Sequence, residues 1–405
     1  MRRELLDVLR CPFCGGPCEV YGHAHRTLPE VVVHGVLGCA CCAYPIVDGV
    51  PIMKTSDDLS DAIRAIERGA IDDARALVTD LPERDRATLR APFASFADAV
   101  TSLLPDGEGD YYVRRFGDPT FIVADGIARA VARVVGPSSA GRRFVDVCSG
   151  CGHLARTLDT LRSHDAPPVM ALDASFWRLQ VMRRFIAPDA DAICMDANLA
   201  LPLASHSASL AICNDAFSYV WSKRAQSADM QRLVHPQGAV VLTHVHSMYG
   251  ENATAGNTLA PSAYLALLDR PARLFDDARL RDERVRAQVV DLETPLTVDV
   301  GPDVVSIVAS NDPRVFEEHV LPDPLVHGVL RVNPLYLVTA DDDRLQLELS
   351  FPSAHYAEEF RAARAYLPAT LTIPRRWLER AHWNDVDVLA LRRSSILLDV
   401  PESYV

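Results

Sequence analysis

No stretch of the 405-residue chain is apolar for long enough to cross a bilayer as a helix, so no membrane partner is expected. Basic runs are missing too; the nearest is the pair Arg183 and Arg184. With a formal net charge of −13 and a pI near 5.4, the overall field repels a phosphate backbone, so nucleic acid is an unlikely partner on charge alone. Met1 to Arg10 lacks the long apolar core and small-residue cleavage site of an export signal, which points to a cytoplasmic protein. In that compartment the ten cysteines are thiols, and a cluster among them signals metal before disulfide. What remains is an ordinary globular composition, 49% hydrophobic and 23% charged, over a length that suggests two or three domains.

Six of the cysteines fall in the first 54 residues. Cys11 with Cys14 and Cys39 with Cys42 form two CxxC knuckles, each presenting a sulfur pair, as a closed tetrahedral zinc site requires. Cys18 and Cys41 compete for a ligand place, while His23, His25 and His34 read as solvated loop residues. A segment this short could hardly fold without such a staple. LLDVLRCPFC, the second knuckle and YPIVDGVPIM together resemble the small zinc-ribbon proteins that activate tRNA, rRNA and protein methyltransferases, and their bacterial homologues. The resemblance covers residues 1–54 and implies an activator fused in cis, acting by covering an apolar face.

The stretch Arg142 to His153, RRFVDVCSGCGH, is a strand end running into a glycine turn and then a helix, which leaves backbone N–H groups free for a ligand. About 20 residues on, a second apolar strand closes on Asp173, the spacing of an acid that binds a ribose hydroxyl pair. DVCSGCG resembles motif I of the class I S-adenosylmethionine-dependent methyltransferases, and the later motifs follow in order over residues 110–250. The resemblance implies cofactor contacts from Asp146, Cys148, Gly150 and Gly152, from Asp173 and Ala174, and from Asp196 and Ala197 in ICMDANLALPL. Asn214, after the fourth strand, completes that side. Cys148 stands where the family has its first glycine. The runner-up, a nicotinamide-binding domain, lacks its third glycine here, and Cys148 with Cys151 read as small turn residues rather than a redox pair. In the family, the segment before motif I folds over the cofactor, which makes Tyr111, Tyr112 and Arg115 of GDYYVRRFGDPTF candidate lid residues.

The implied fold class is α/β, a doubly wound Rossmann-like sheet with an N-terminal zinc ribbon and a C-terminal α+β elaboration. The expected divisions are a ribbon at 1–54, a helical connector at 55–105 with helices over 57–78 and 91–104, a cofactor domain at 106–250, and sheet completion plus elaboration at 251–405. Strands are expected at 143–147, 169–172, 192–196, 209–213 and 239–245, and helices at 152–162, 175–187 and 223–234. In the last part VRAQVV, DVVSIVAS, LYLVTA and RLQLELSF read as strands, and 354–366 and 374–383 as helices.

Methyl transfer from a sulfonium is an in-line displacement dominated by alignment, with a base needed when the nucleophile is protonated. At the expected carboxyl edge the catalytic candidates are Asp215, His244 and Tyr112, with His246 and, more weakly, Glu251 beside them. The favoured reading is a methyltransferase acting on O or N of a small molecule, with S-adenosyl-L-methionine and Zn2+ as cofactors. Asn214-Asp215-Ala216-Phe217 lacks the prolines that exocyclic-amine methylases tend to carry there. An RNA or protein methyltransferase is the alternative that the ribbon suggests, and a silent cofactor-binding protein is the third.

Overall fold

A computed structural model describes the chain except residues 57, 83–85, 87–91, 105–106, 137–140, 251–257, 298–300 and 324. The ribbon is an antiparallel sheet of β1 (Glu19–Leu28), β2 (Val31–Gly38), β3 (Ala43–Val47) and β4 (Val50–Pro51), in chain order. Two helices follow, α1 (Leu59–Glu67) and α2 (Ile71–Val78), where the apolar period reads as one. Gly69 breaks it with φ at 75°. Next, α3 (Phe96–Leu103) starts later than its expected Ala91, which lies outside the described residues, because the Ser95 hydroxyl caps it by accepting from Asp98 N–H. α4 (Glu108–Arg114) and α5 (Pro119–Val135) complete the approach, the latter capped by Asp118.

The alternating region supplies β5 (Arg143–Val147), α6 (His153–Leu161), β6 (Met170–Asp173), α7 (Phe176–Val181) and β7 (Asp191–Cys194). Then come β8 (Ala208–Asn214), α8 (Lys223–Leu233) and β9 (Val234–His246). The sheet is completed by β10 (Ala272–Asp276), its helix α9 (Asp277–Ala287), and, past the short β11 (Val289–Asp291), by β12 (Val304–Ser310). The seven strands lie in the order β10-β12-β9-β8-β5-β6-β7. β5 to β9 run parallel, and β12 and β10 close the sheet as an antiparallel pair. Every residue of β5, β6 and β7 is buried, because helices cover one face of this part of the sheet and the ribbon covers the other. The first half of VRAQVV is the end of α9, Gln288 caps it, and only its last two residues enter β11.

The ribbon does not hang free. Ile52 pairs with Cys194, and Met53 N–H donates to the Cys194 carbonyl at 2.7 Å, so the ribbon's last strand continues the sheet past β7 and covers an edge that would otherwise be open. Leu5, Leu9, Leu37 and Ile46 share one core with Val145, Leu172, Ile193 and Leu203. Each such side chain contributes roughly 1.5–3 kcal/mol by leaving water. Arg2 and Arg143 both pair with Asp191 at 2.7 Å, fixing the ribbon's start to the same edge.

Beyond the sheet, β13 (Glu318–Val320) pairs with β11. β14 (Val329–Val332) pairs with a strand near the C-terminus, β18 (Leu397–Val400). β15 (Tyr336–Ala340), β16 (Arg344–Leu349) and β17 (Thr370–Pro374) make a separate three-stranded sheet with its own core around Leu335, Leu347, Phe360 and Ile373. The expected helix 354–366 is α10 (Ala354–Glu359) plus a 3-10 turn at Arg361–Ala365. The expected helix 374–383 is corrected to two short 3-10 turns, Arg375–Leu378 and Arg380–His382, followed by α11 (Val386–Arg393). Pro374 ends β17 instead of opening a helix.

Candidate active site and metal centre

The glycine turn after β5 depends on left-handed backbone at Cys148, Gly150 and Gly152, with φ of 60°, 54° and 81°. Gly152 admits no side chain, since an added Cβ would sit 2.1 Å from Met182 Cγ. Cys148 takes the glycine-like conformation despite its side chain, and its thiol neighbours Cys213 rather than Cys151. Asp173 meets the turn: its Oδ2 accepts from Gly150 N–H at 2.8 Å and its Oδ1 from Ser175 N–H at 2.9 Å. Beneath them Asp146 is wholly buried and accepts from the Ala155 backbone, while its Oδ2 has no partner. Burial, and then the charge of Asp173, push the Asp146 carboxyl up to about 8. The Ser149 and Ser175 hydroxyls are likewise buried without a partner. An orphaned carboxyl oxygen and two orphaned hydroxyls beside the Asp173 carboxylate suit a polar, cationic nucleoside such as S-adenosylmethionine, and Asp146, Gly150, Gly152 and Asp173 would hold it.

Flanking loops carry the remaining expected cofactor residues. The Ala174 carbonyl accepts from Lys54 Nζ at 2.8 Å, so the end of the ribbon touches the loop bearing Asp173. Asp196 Oδ1 accepts from the N–H and the side-chain amide of Asn198, beside buried Ala197. Asn198 Oδ1 in turn accepts from Trp221 N–H at 2.8 Å, tying this loop to the one after β8. Asn214 accepts from Thr243 Oγ1 at 2.9 Å, locking the ends of β8 and β9 together.

Across from the turn lies a second polar cluster. Asp215 and His244 both adopt positive φ, 54° and 52°. His244 sits on a bulge, where Thr243 and His244 together face Ser306 between the pairs Ile307–Leu242 and Val305–Val245. His244 Nδ1 bonds Asp277 Oδ2 at 3.1 Å, and Ser306 Oγ donates to Asp277 Oδ1 at 2.6 Å. The His246 ring lies edge-on, 5.2 Å between centroids. Burial opposes charging of His244, but Asp215 and Asp277 raise its pKa above the usual histidine value; burial lowers that of His246. Asp215, against the effect of burial, is held below the ordinary carboxylate value by His244 and Arg115.

The two tyrosines exchange their expected places. Tyr112, a candidate for catalysis, packs over the turn, 3.7 Å from where a Gly150 Cβ would be, with Arg178 5.4 Å from its ring centroid. Tyr111, a candidate for the cofactor, instead donates its hydroxyl to Asp215 Oδ2 at 3.0 Å. Arg115, also expected at the cofactor, is buried between Asp118 at 3.1 Å and Asp215 at 3.2 Å, and so is already engaged. Glu251 lies outside the described residues. Three residues escaped the sequence reading. Asp277 is a helix-start acid with no motif, Glu359 at the end of α10 pairs with His355 within electrostatic reach of Asp215, and Tyr404 donates to the carbonyls of Tyr112 and Val113, fixing α4. Burial and then the charge of Asp215 raise the Glu359 carboxyl.

At the ribbon the sulfurs of Cys11, Cys14, Cys39 and Cys41 all lie within 4.8 Å of one another. Separations of 3.6, 3.7 and 3.5 Å for the pairs 11–41, 14–39 and 39–41 match the roughly 3.8 Å edge of a tetrahedron built on zinc–sulfur bonds. Cys41 thus joins the group where Cys42 was expected, and the Cys42 sulfur lies 3.4 Å from that of Cys41. Burial opposes ionisation of Cys11, but hydrogen bonds from Tyr44 and from backbone N–H groups bring its thiol down to about 6, the form a metal needs. Cys18 is buried, with its thiol pushed up to about 12, and His34 is a core histidine bonded to Asp48 N–H.

No family model matches the chain. A UPF0434 protein of Pseudomonas fluorescens is 42% identical over 57 residues, 14% of this chain and 80% of the relative. One of Burkholderia mallei is 35% identical over 74 residues, 18% of this chain and 91% of the relative. Among solved structures, a chain of the complex between the Haloferax volcanii Trm112 methyltransferase activator and a methyltransferase has a TM-score of 0.35 at 14% identity, covering 53% of this chain and 96% of that one. A SAM-dependent methyltransferase of Aquifex aeolicus has a TM-score of 0.33 at 14% identity, covering 49% and 96%.

Proposed function

We propose, for a chain that belongs to the UPF0434 family through a 57-residue stretch, a methyltransferase that uses S-adenosylmethionine to methylate O or N of a small molecule, with a structural zinc ribbon fused to it. The observation that carries this reading is the meeting of Asp173 with the Gly150 turn at the carboxyl edge of the sheet, opposite the Asp215–His244 cluster. Gly150, Gly152, Asp173 and Ala174 hold the nucleoside, with Asp196 and Ala197 on the adenine side and Asn214 bracing the edge. When bound, the cofactor supplies an electrophilic methyl group. The protein's part is alignment: Tyr112 closes the turn, and Asp215 and His244 hold the acceptor atom where its proton is lost.

The acidic chain and the wall that α10 adds beside the cluster favour a small acceptor. The ribbon's likeness to methyltransferase activators supports the second reading, an RNA or protein acceptor. Calorimetry should detect S-adenosylmethionine binding that Asp173→Ala weakens by about 1.5–3 kcal/mol, the range for hydrogen bonds to a charged group. Unchanged affinity, or tighter binding of NAD, overturns the assignment. Turnover on a panel of hydroxylated and amino metabolites, set against bulk RNA and protein, separates the two acceptor classes.

A further inference from the structure

We infer that Asp215, His244 and His246 form a second metal site, distinct from the thiolate cluster, which takes a divalent transition-metal ion and presents it to an oxygen of the methyl acceptor. Each residue offers one ligand atom, and the three atoms lie within 4.8 Å of one another. Two imidazoles and one carboxylate suit iron(II), manganese, cobalt or zinc, and three protein ligands leave positions open, unlike the closed set of four thiolates.

The surroundings are those of a ligand site. His244 gives its Nδ1 proton to Asp277, itself fixed by Ser306, so Nε2 is left with its lone pair for an ion; such carboxylate–histidine pairs orient metal ligands. Asp215 is held in the same way: Tyr111 and Arg115 both engage Oδ2, leaving Oδ1 for coordination. Left-handed backbone at both Asp215 and His244 is costly for residues with a Cβ and persists where the surroundings enforce it. Charge balance agrees. Asp118, Asp215 and Asp277 against Arg115 leave two net negative charges among half-buried and buried groups when the histidines are neutral, and a dication cancels them.

The site deepens the methyltransferase reading and rests on it only for the acceptor, which becomes a hydroxyl compound. Coordination acidifies the hydroxyl, whose proton leaves to solvent. The oxygen then takes the methyl group as the sulfur–methyl bond breaks, its electron pair staying on sulfur. With Nε2 on the ion, His244 is a ligand and not the base.

The test uses the full chain, stripped by chelation and titrated with cobalt(II). Two ions per chain are expected, one with thiolate charge-transfer bands and a second with ligand-field bands alone. His246→Ala should remove only the second, and Asp277→Asn should weaken it 10- to 100-fold with S-adenosylmethionine affinity retained. One ion per chain, with His246→Ala and wild type giving the same cobalt spectrum and the same cofactor affinity, overturns the site while leaving the methyltransferase reading standing. A second ion without any S-adenosylmethionine binding overturns that reading and keeps the site.

Discussion

The cysteine cluster of the ribbon and the Asp215–His244–His246 cluster at the sheet edge answer the same problem, convergence of ligand atoms, with opposite means. Cys11, Cys14, Cys39 and Cys41 come from two short turns within one small sheet, and their four sulfurs saturate a tetrahedron. The other cluster draws on the ends of β8 and β9, is oriented by Asp277 from α9, and leaves coordination room open. The first has little need of the rest of the chain, whereas the second exists only once the whole sheet is assembled. A closed site stabilises; an open one can meet a ligand.

The largest effect should follow from breaking the closed cluster. Cys11→Ser with Cys41→Ser should release the zinc, and because metal binding supplies the folding energy of such a module, the melting temperature should fall by roughly 3–4 °C, corresponding to a loss of about 3 kcal/mol. Cys42→Ser should leave metal content and melting unchanged. Elemental analysis with thermal melts checks both; zinc kept by the Cys41 variant and lost by the Cys42 variant would return the fourth place to Cys42.

A comparable loss is expected from deleting residues 1–54 altogether, which removes the same packing against the sheet. It would also expose the β7 edge that Ile52 and Met53 cover and the apolar face under Leu5 and Leu9. Lower solubility and a lower melting temperature are the expected outcome. A truncated chain as soluble and heat-stable as the full one, with equal S-adenosylmethionine affinity, would refute a stabilising role and leave recruitment of a substrate or partner.

What the sequence made legible divides along the same line. The knuckles, the glycine turn and Asp173 are local patterns whose geometry is set within a few residues, so spacing alone brings them together. Spacing favoured Cys42 over Cys41, but both lie in the bend between β2 and β3, where the backbone and not the spacing sets which sulfur turns toward Cys11 and Cys14. Asp277 was invisible, since its role depends on a bulge at His244 and on β12 lying between β9 and β10. Tyr111 and Tyr112 changed places because neighbours in a helix point about 100° apart, and only the helix's position fixes which one meets Asp215. In the elaboration, short 3-10 turns carry no clear period, and Pro374 reads equally well as a helix start and as a strand end.

A last prediction, read as a slope with pH, tests whether the cofactor turn is built for a cation as the open cluster is. Asp146 keeps its proton in the folded chain up to about 8, through burial first and then the charge of Asp173, while the unfolded chain gives it up near 3.9. Between those values the folded state binds more protons, so the stability this group contributes is present at low pH and is lost as pH rises through about 8. The ceiling on that loss is about 1.4 kcal/mol per pH unit. Asp146→Asn removes the titration. Its melting temperature should therefore gain on that of wild type as pH rises from about 5 to 8, and then run parallel. Its affinity for S-adenosylmethionine should fall at pH 8, because the carboxylate that would face a positive ligand is gone. Thermal melts of both proteins across that range, with calorimetry at its upper end, read the two effects separately. A pH-independent difference in melting would mean that the Asp146 carboxyl is already charged in the folded chain, and the turn would then owe its ligand preference to Asp173 alone.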